Sequence, residues 1–195
     1  MENEVTNILL VGVGGQGIIV ASDIMTDVFL EAGYDVKKSE IHGMAQRGGS
    51  VTSHVRFGKK VYSPIIKQGD ADILLAFERL EALRWVNHLR GDGTVVMNDH
   101  KINPPAVNLG QMSYPERIEE ILEKHCGRLH VLPATRLAEE AGDIRSTNVV
   151  LLGALSHLCS IREGLWIDVI LKRLPPKVHS LNQRAFSLGR RHLRG

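Results

Sequence analysis

The chain of 195 residues balances 24 basic against 22 acidic side chains, and a net charge of +2 is too small to argue for a nucleic-acid partner. Its 43% hydrophobic and 24% charged content are those of an ordinary globular domain, and no apolar run nears the ~20 residues that span a bilayer. Cys126 and Cys159 lie far apart and no Cys/His ligand spacing occurs, so no metal site, zinc or iron–sulfur, is expected; unpaired thiols and an acidic N-terminus suit the cytoplasm.

Asn7 to Val13 is a short continuous apolar run, the pattern of a buried parallel strand. It ends in Gly12-Val13-Gly14-Gly15-Gln16-Gly17, which fits G-x-G-x-x-G. Glycines there permit a tight turn, and the N-terminus of the following helix offers free N–H groups to an anion. That helix, Ile18 to Leu30, is apolar nearly all round and is predicted to be well buried. A second strand runs from Tyr34 to Ile41. A dinucleotide site wants an acidic residue ~20 positions beyond the glycines, and Glu40 is the candidate. A nicotinamide or flavin site, another phosphate-binding or protein-edge role and simple turn geometry all remain open for this loop.

Glu40 to Val51 is the polar stretch around which the chain is organised. It holds His42, Gln46, Arg47, Gly48 and Gly49 without a helix or strand period. Ordering such a loop is costly unless something binds it, and the Arg47 guanidinium is a planar fork suited to phosphate or carboxylate. Ser50 and Ser53 lie near His42 and His54, but no nucleophile elbow or triad order is recognisable.

Val51 to Phe57 alternates, and Gly58-Lys59 before Lys60–Ser63 predicts a two-residue hairpin. Asp72 to Phe77 is another buried strand; Glu78 to Arg90 reads as an amphipathic helix closed by Gly91 and Gly93; Thr94 to Met97 is the next strand. Ser113 and Glu116 form a capping box for a helix lined by Ile118, Ile121 and Leu122. Leu129 to Leu132 is a strand, and Thr135 caps a short helix. Helices follow over Asn148–Cys159, Leu165–Leu174 and Val178–Leu188. Asn148 either caps its helix or aims its amide at the glycine loops. From Lys172 onward the chain is basic with no acidic residue, which suits a solvated face or an acidic partner.

This order predicts a single domain over 1–195: a three-layer α/β/α sandwich with a mixed, mostly parallel sheet over 1–146 and a helical C-terminal extension over 147–195. In open α/β sheets ligand loops gather at the carboxyl ends of the strands, so both glycine loops should share one edge.

Four blocks in order resemble the gamma subunit or gamma domain of the 2-oxoacid:ferredoxin oxidoreductases. They are Gly12–Gly17 with its helix, Glu40–Val51 with the strand through Arg56, Asn148–Ala154, and Asn182–Gly189. The His42–Gly49 block is similar in particular to small beta subunits of the indolepyruvate:ferredoxin oxidoreductases. The resemblance implies a complex that oxidatively decarboxylates an aryl-2-oxoacid, joins the acyl group to coenzyme A and reduces ferredoxin. It implies that thiamine diphosphate, Mg and the iron–sulfur clusters belong to a large cysteine-rich alpha subunit, and that this chain binds no cofactor alone and is inactive alone. Gln46, Arg47, Gly48 and Gly49 are the matched positions expected at the active-site edge, touching coenzyme A, the substrate carboxylate or the large subunit. Gamma subunits acting on pyruvate, 2-oxoisovalerate or 2-oxoglutarate share the pattern. A free-standing nicotinamide- or flavin-binding protein and a purely assembly-promoting subunit are the rivals.

Overall fold

The computed structural model describes residues 5–42 and 49–193, with only the backbone of His42; Gln46, Arg47 and Gly48 fall outside the described residues. Strand β1 (Thr6–Val13) leads through the first glycine loop to helix α1 (Ile18–Glu31) and strand β2 (Asp35–His42). Then come β3 (Ser50–Gly58), β4 (Ala71–Ala76), α2 (Arg79–Trp85), β5 (Leu89–Asn98), the single turn α3 (Pro105–Asn108), α4 (Ile118–Glu123), β6 (Arg128–Leu132) and α5 (Ala134–Ala141). The chain closes with α6 (Thr147–Leu158), α7 (Glu163–Arg173) and α8 (His179–His192).

The six strands form one mixed sheet in the order β2-β3-β1-β4-β5-β6. β1, β4, β5 and β6 are parallel, while β3 is antiparallel to both β1 and β2. Side chains alternate along a strand. Ile8 and Leu10 of β1 therefore join Ile24, Phe29, Leu151, Trp166 and Phe186 on one face. Leu9 and Val11 join Leu74, Met97, Val86, Ile118 and Leu122 on the other. With both faces covered, this is the expected three-layer α/β/α sandwich. Among the described residues no helix is long and apolar enough to cross a membrane.

Five expectations are corrected. The hairpin is not at Gly58-Lys59: β3 pairs with β2 from His42↔Val51 to Asp35↔Gly58, so the polar stretch itself connects the ribbon. Residues after Gly58 are drawn across the sheet by side chains instead. The Val61 N–H donates to Asp35 (2.9 Å), the Ile66 N–H to His54 Nδ1 (3.1 Å), and Arg56 to the Ser63 carbonyl (2.9 Å). The helix predicted over Glu78–Arg90 stops at Trp85, and β5 begins at Leu89. Val86 and Leu89 are buried, and the backbone turns back to pair Ala71↔Leu89 before a register shift.

Ser113 and Glu116 cap no helix; α4 starts after Arg117 at φ 57°. Tyr114 is held instead by Glu78, its hydroxyl donating to Oε1 at 2.6 Å, and that tertiary bond overrides the local signal. Thr135 lies inside α5, which starts at Ala134, because Asn98 takes its N–H (3.3 Å) and donates to its hydroxyl (3.0 Å). Nor is α1 buried all round: Ala21, Ile24, Met25 and Val28 face the core, while Ile19, Val20 and Leu30 are exposed.

The C-terminal helices pack on the sheet with α1. α6 and α8 cross so closely that a Cβ on Gly153 would stand 2.1 Å from the Phe186 carbonyl oxygen, and one on Gly189 1.9 Å from that of Val150. The basic tail finds acids within the chain. Lys172 pairs with Glu31, Arg173 with Asp23 and Asp27, Arg184 with Glu140, and Arg190 with Glu163.

Candidate functional site

The site is built where β1 and the β2–β3 ribbon end on the same edge. β1 pairs with β3 up to Gly12↔Val51 and Val13↔Ser50. One step beyond, the Gly14 N–H donates to the Gly49 carbonyl at 2.9 Å, so the two glycine loops touch. Gln16 then folds back. Its Oε1 accepts the Val13 N–H (2.7 Å) and its Nε2 donates to the Phe77 carbonyl (3.0 Å), stitching the carboxyl end of β1 to that of β4. A Cβ on Gly12 would meet the Gln16 Oε1 at 2.7 Å and the Phe77 Cβ at 2.8 Å, so the stitch needs glycine there.

Gly17 begins α1 at φ 79° with no side-chain cap. A left-handed turn of that kind favours glycine. Asn148, in the first turn of α6, sits directly against it: a Cβ on Gly17 would be 2.9 Å from the Asn148 Nδ2. Asn148 is therefore not the residue that precedes and caps α6; its amide lies at the glycine loop, with Oδ1 accepting the Val149 N–H at 2.9 Å.

In any helix the first N–H groups lack intrahelical acceptors. Here Ala21 is the first to bond back, to Gly17 O at 3.0 Å. The N–H groups of Ile18, Ile19 and Val20 precede it, at the end of the helix where the dipole is positive. They border a concavity of about 480 Å³ lined by Gly14, Gly15, Gly17, Ile18, Ile19, Val20 and Val51. Donors at one end and aliphatic walls beside them suit a ligand that joins an anionic group to an apolar arm.

The dinucleotide arrangement is not assembled. Glu40 is ion-paired with Lys38, which also pairs with Asp23 of α1. β3 stands between β1 and β2, so Glu40 is two strands, roughly 10 Å, from the loop it would have to serve.

Side chains not singled out in the sequence complete the edge. Glu78 and Glu81 are buried at the start of α2. Glu78 accepts from the Glu81 N–H (2.9 Å), the Ile102 N–H (3.0 Å) and the Tyr114 hydroxyl (2.6 Å). Burial and the bond to Glu78 push the Tyr114 phenol far above its ordinary pKa. Glu81 accepts from the Ser50 hydroxyl (2.5 Å) and from Arg84 (2.5 Å). The signal that could have exposed this pair is a carboxylate directly after an apolar strand with a second one three residues on. Among the described residues no group of three or more His, Cys, Asp or Glu side chains could hold a metal ion.

Of the sequence candidates, Gly12, Gly14, Gly15, Gln16, Gly17, Gly49 and Asn148 are brought together at this edge, and the His42 backbone pairs with Val51 beside it.

Residues 7–192 match the family model described as pyruvate ferredoxin/flavodoxin oxidoreductase. The chain is 44% identical over 188 residues to the indolepyruvate oxidoreductase subunit IorB of Thermococcus kodakarensis, covering 94% of this chain and 93% of that one. It is 29% identical to the pyruvate/ketoisovalerate oxidoreductases common subunit gamma of Pyrococcus furiosus, covering 74% and 73%. The fold is that of a region of the Magnetococcus marinus 2-oxoglutarate:ferredoxin oxidoreductase, solved with 2-oxoglutarate, coenzyme A and succinyl-CoA bound. That likeness has a TM-score of 0.77 at 24% identity and covers 99% of this chain and 32% of that one. A family match that runs through nearly every element described above, joined to a close relative of equal length, leads to one conclusion: this chain belongs to the pyruvate ferredoxin/flavodoxin oxidoreductase family.

Proposed function

We propose that this chain is the small subunit of a thiamine-diphosphate-dependent indolepyruvate (aryl-2-oxoacid):ferredoxin oxidoreductase, and that its glycine rim completes the active-site edge of the complex. The observation that carries the reading is the Gly14–Gly49 bond, which joins the first glycine loop to the foot of the polar hairpin beside an open helix N-terminus. The 44% identity to an indolepyruvate oxidoreductase subunit, against 29% to a pyruvate/ketoisovalerate gamma subunit, favours the aryl substrate over the aliphatic ones.

In this reading thiamine diphosphate, Mg and the iron–sulfur clusters reside in a large cysteine-rich alpha subunit, and electrons leave to ferredoxin in the cytoplasm. Coenzyme A is the co-substrate. Its phosphates suit the N–H groups of Ile18 to Val20, and its pantetheine arm suits the walls formed by Ile19, Val20 and Val51. Arg47, with Gln46 and His42, is assigned to the same edge from the sequence alone, as donors to a phosphate or to the oxoacid carboxylate. Exposed apolar side chains on this edge support a partner surface. Ile19, Val20 and Ile41 stand there, and so do Leu109 and Met112 on the connection that Glu78 ties down at Ile102 and Tyr114.

Reconstitution with the large subunit tests this. Indolepyruvate- and coenzyme A-dependent reduction of a viologen dye is expected, with pyruvate and 2-oxoglutarate much poorer; no oxoacid-dependent reduction overturns the function. Arg47→Ala should lower turnover or raise the KM for coenzyme A about tenfold or more, since bonds to charged groups contribute about 1.5–3 kcal/mol. The isolated subunit should stay folded. Unchanged turnover and coenzyme A dependence would remove Arg47 from the edge. Weakened association at an intact rate would mark a subunit that only assembles.

A further inference from the structure

Burying a carboxylate costs several kcal/mol unless partners compensate. Glu81 is 2% exposed, and both its oxygens are engaged. Oε1 takes the Arg84 guanidinium from the next turn of α2. Oε2 takes the hydroxyl of Ser50, thirty-one residues away in sequence. A buried apolar side chain would pack here with no such cost, so the acid's distinguishing effect is directional: it fixes where Ser50 sits. Ser50 is the first residue of β3 and opposes Val13, the last of β1. Gly49, its neighbour, holds the Gly14 N–H. The carboxylate thus anchors the point at which the two glycine loops meet, on a helix whose own first turn is held by Glu78.

We infer that Glu81 is a positioning residue: acting through Ser50, it sets the foot of the polar hairpin, and with it the Gly49–Gly14 contact that shapes the ligand-facing rim. Glu81 touches no reactant in this role. The consequence for the complex rests on the function proposed above; the anchoring itself does not.

Two measurements separate these. In the full chain alone, hydrogen exchange of the Gly14 amide reads the rim directly. Ser50→Ala should speed that exchange roughly tenfold, the factor that about 1.4 kcal/mol of lost hydrogen bonding would produce, and Glu81→Gln, whose amide oxygen still accepts the Ser50 hydroxyl but without the charge, should speed it by less. Ser50→Thr, which keeps the hydroxyl, should restore it. In the double variant the two effects should be less than additive, because the Ser50–Glu81 bond is common to both and only the Arg84 pair is disturbed separately. In the reconstituted complex the same variants should raise the KM for coenzyme A or for indolepyruvate while changing kcat less than about twofold. Unchanged Gly14 exchange in Ser50→Ala, failure of Ser50→Thr to restore it, or additive effects would overturn the anchoring. Should Glu81→Gln fail to fold, Ser50→Ala alone decides. Altered exchange with unaltered KM values in an active complex would overturn the functional consequence. A wild-type complex without oxoacid-dependent activity would count against the proposed function, leaving the exchange result to judge the anchor.

Discussion

His54 shows how the fold settles a residue that the sequence leaves open. It stands near serines with no recognisable triad, and in the fold it is buried in the middle of β3, where its Nδ1 accepts the Ile66 N–H. That bond requires the neutral ring, with the proton on Nε2. Burial, and then the proximity of His88, lowers its pKa below the ordinary 6.5. The unfolded chain takes up a proton below about pH 6.5 and the folded chain resists it, so acidification favours unfolding. This part of the stability is fully present above pH 6.5 and is lost as the pH falls below it. His54→Gln should therefore flatten the decline of Tm between pH 7 and 5; an unchanged slope would assign the acid sensitivity to other groups. Gln16 is a second case. It is unusual for a nicotinamide loop because its amide is spent on the Val13 and Phe77 backbone rather than left for a cofactor.

Among elements, α6 and α8 cross with backbone against backbone. The crossing brings together Asn148–Ala154 and Asn182–Gly189, the third and fourth blocks of the family resemblance. Their glycines are needed for contact, not for turn conformation, since backbone meets backbone. Gly153→Ala should cost about 3 kcal/mol or more by denaturant titration, because overpacking against a rigid backbone has no soft side chain to yield. Gly164→Ala in α7, where a Cβ meets nothing within 4 Å, should be neutral or stabilising by up to about 1 kcal/mol. Equal effects at both sites would refute the close crossing. Elsewhere local signals failed for one recurring reason. The caps expected of Ser113 and Thr135 yielded to Tyr114–Glu78 and Asn98–Thr135, bonds between residues more than thirty positions apart.

For the molecule as a whole, the carboxyl edge of the sheet carries the glycine loops and the concavity, and Ile19, Val20, Ile41, Leu109 and Met112 are exposed on it. Leu109 and Met112, 70% and 67% exposed, are the most open of those on this edge. Monomeric surfaces rarely gather such side chains without a partner. If the proposed large subunit docks here, Leu109→Glu with Met112→Glu should weaken its association at least tenfold, as read by titration or gel filtration, while the Tm of the isolated chain moves little. Undiminished association would place the partner on another face.

Sequence alone determined the elements whose cause is local. The buried run of β1, the glycine turn into α1 and the apolar α6 were legible because periodicity and turn chemistry act over a few residues. So was the edge on which the loops meet, since strand direction follows from the crossover of β1 through α1 to β2. Tertiary structure alone decided that β3 inserts between β1 and β2, which takes Glu40 out of reach of the first loop and makes the polar stretch a hairpin connection. It alone recruited Glu78 and Glu81, whose partners Tyr114 and Ser50 are distant in the chain. Strand order and buried polar pairs depend on which surfaces meet after collapse, and no short window of residues carries that information.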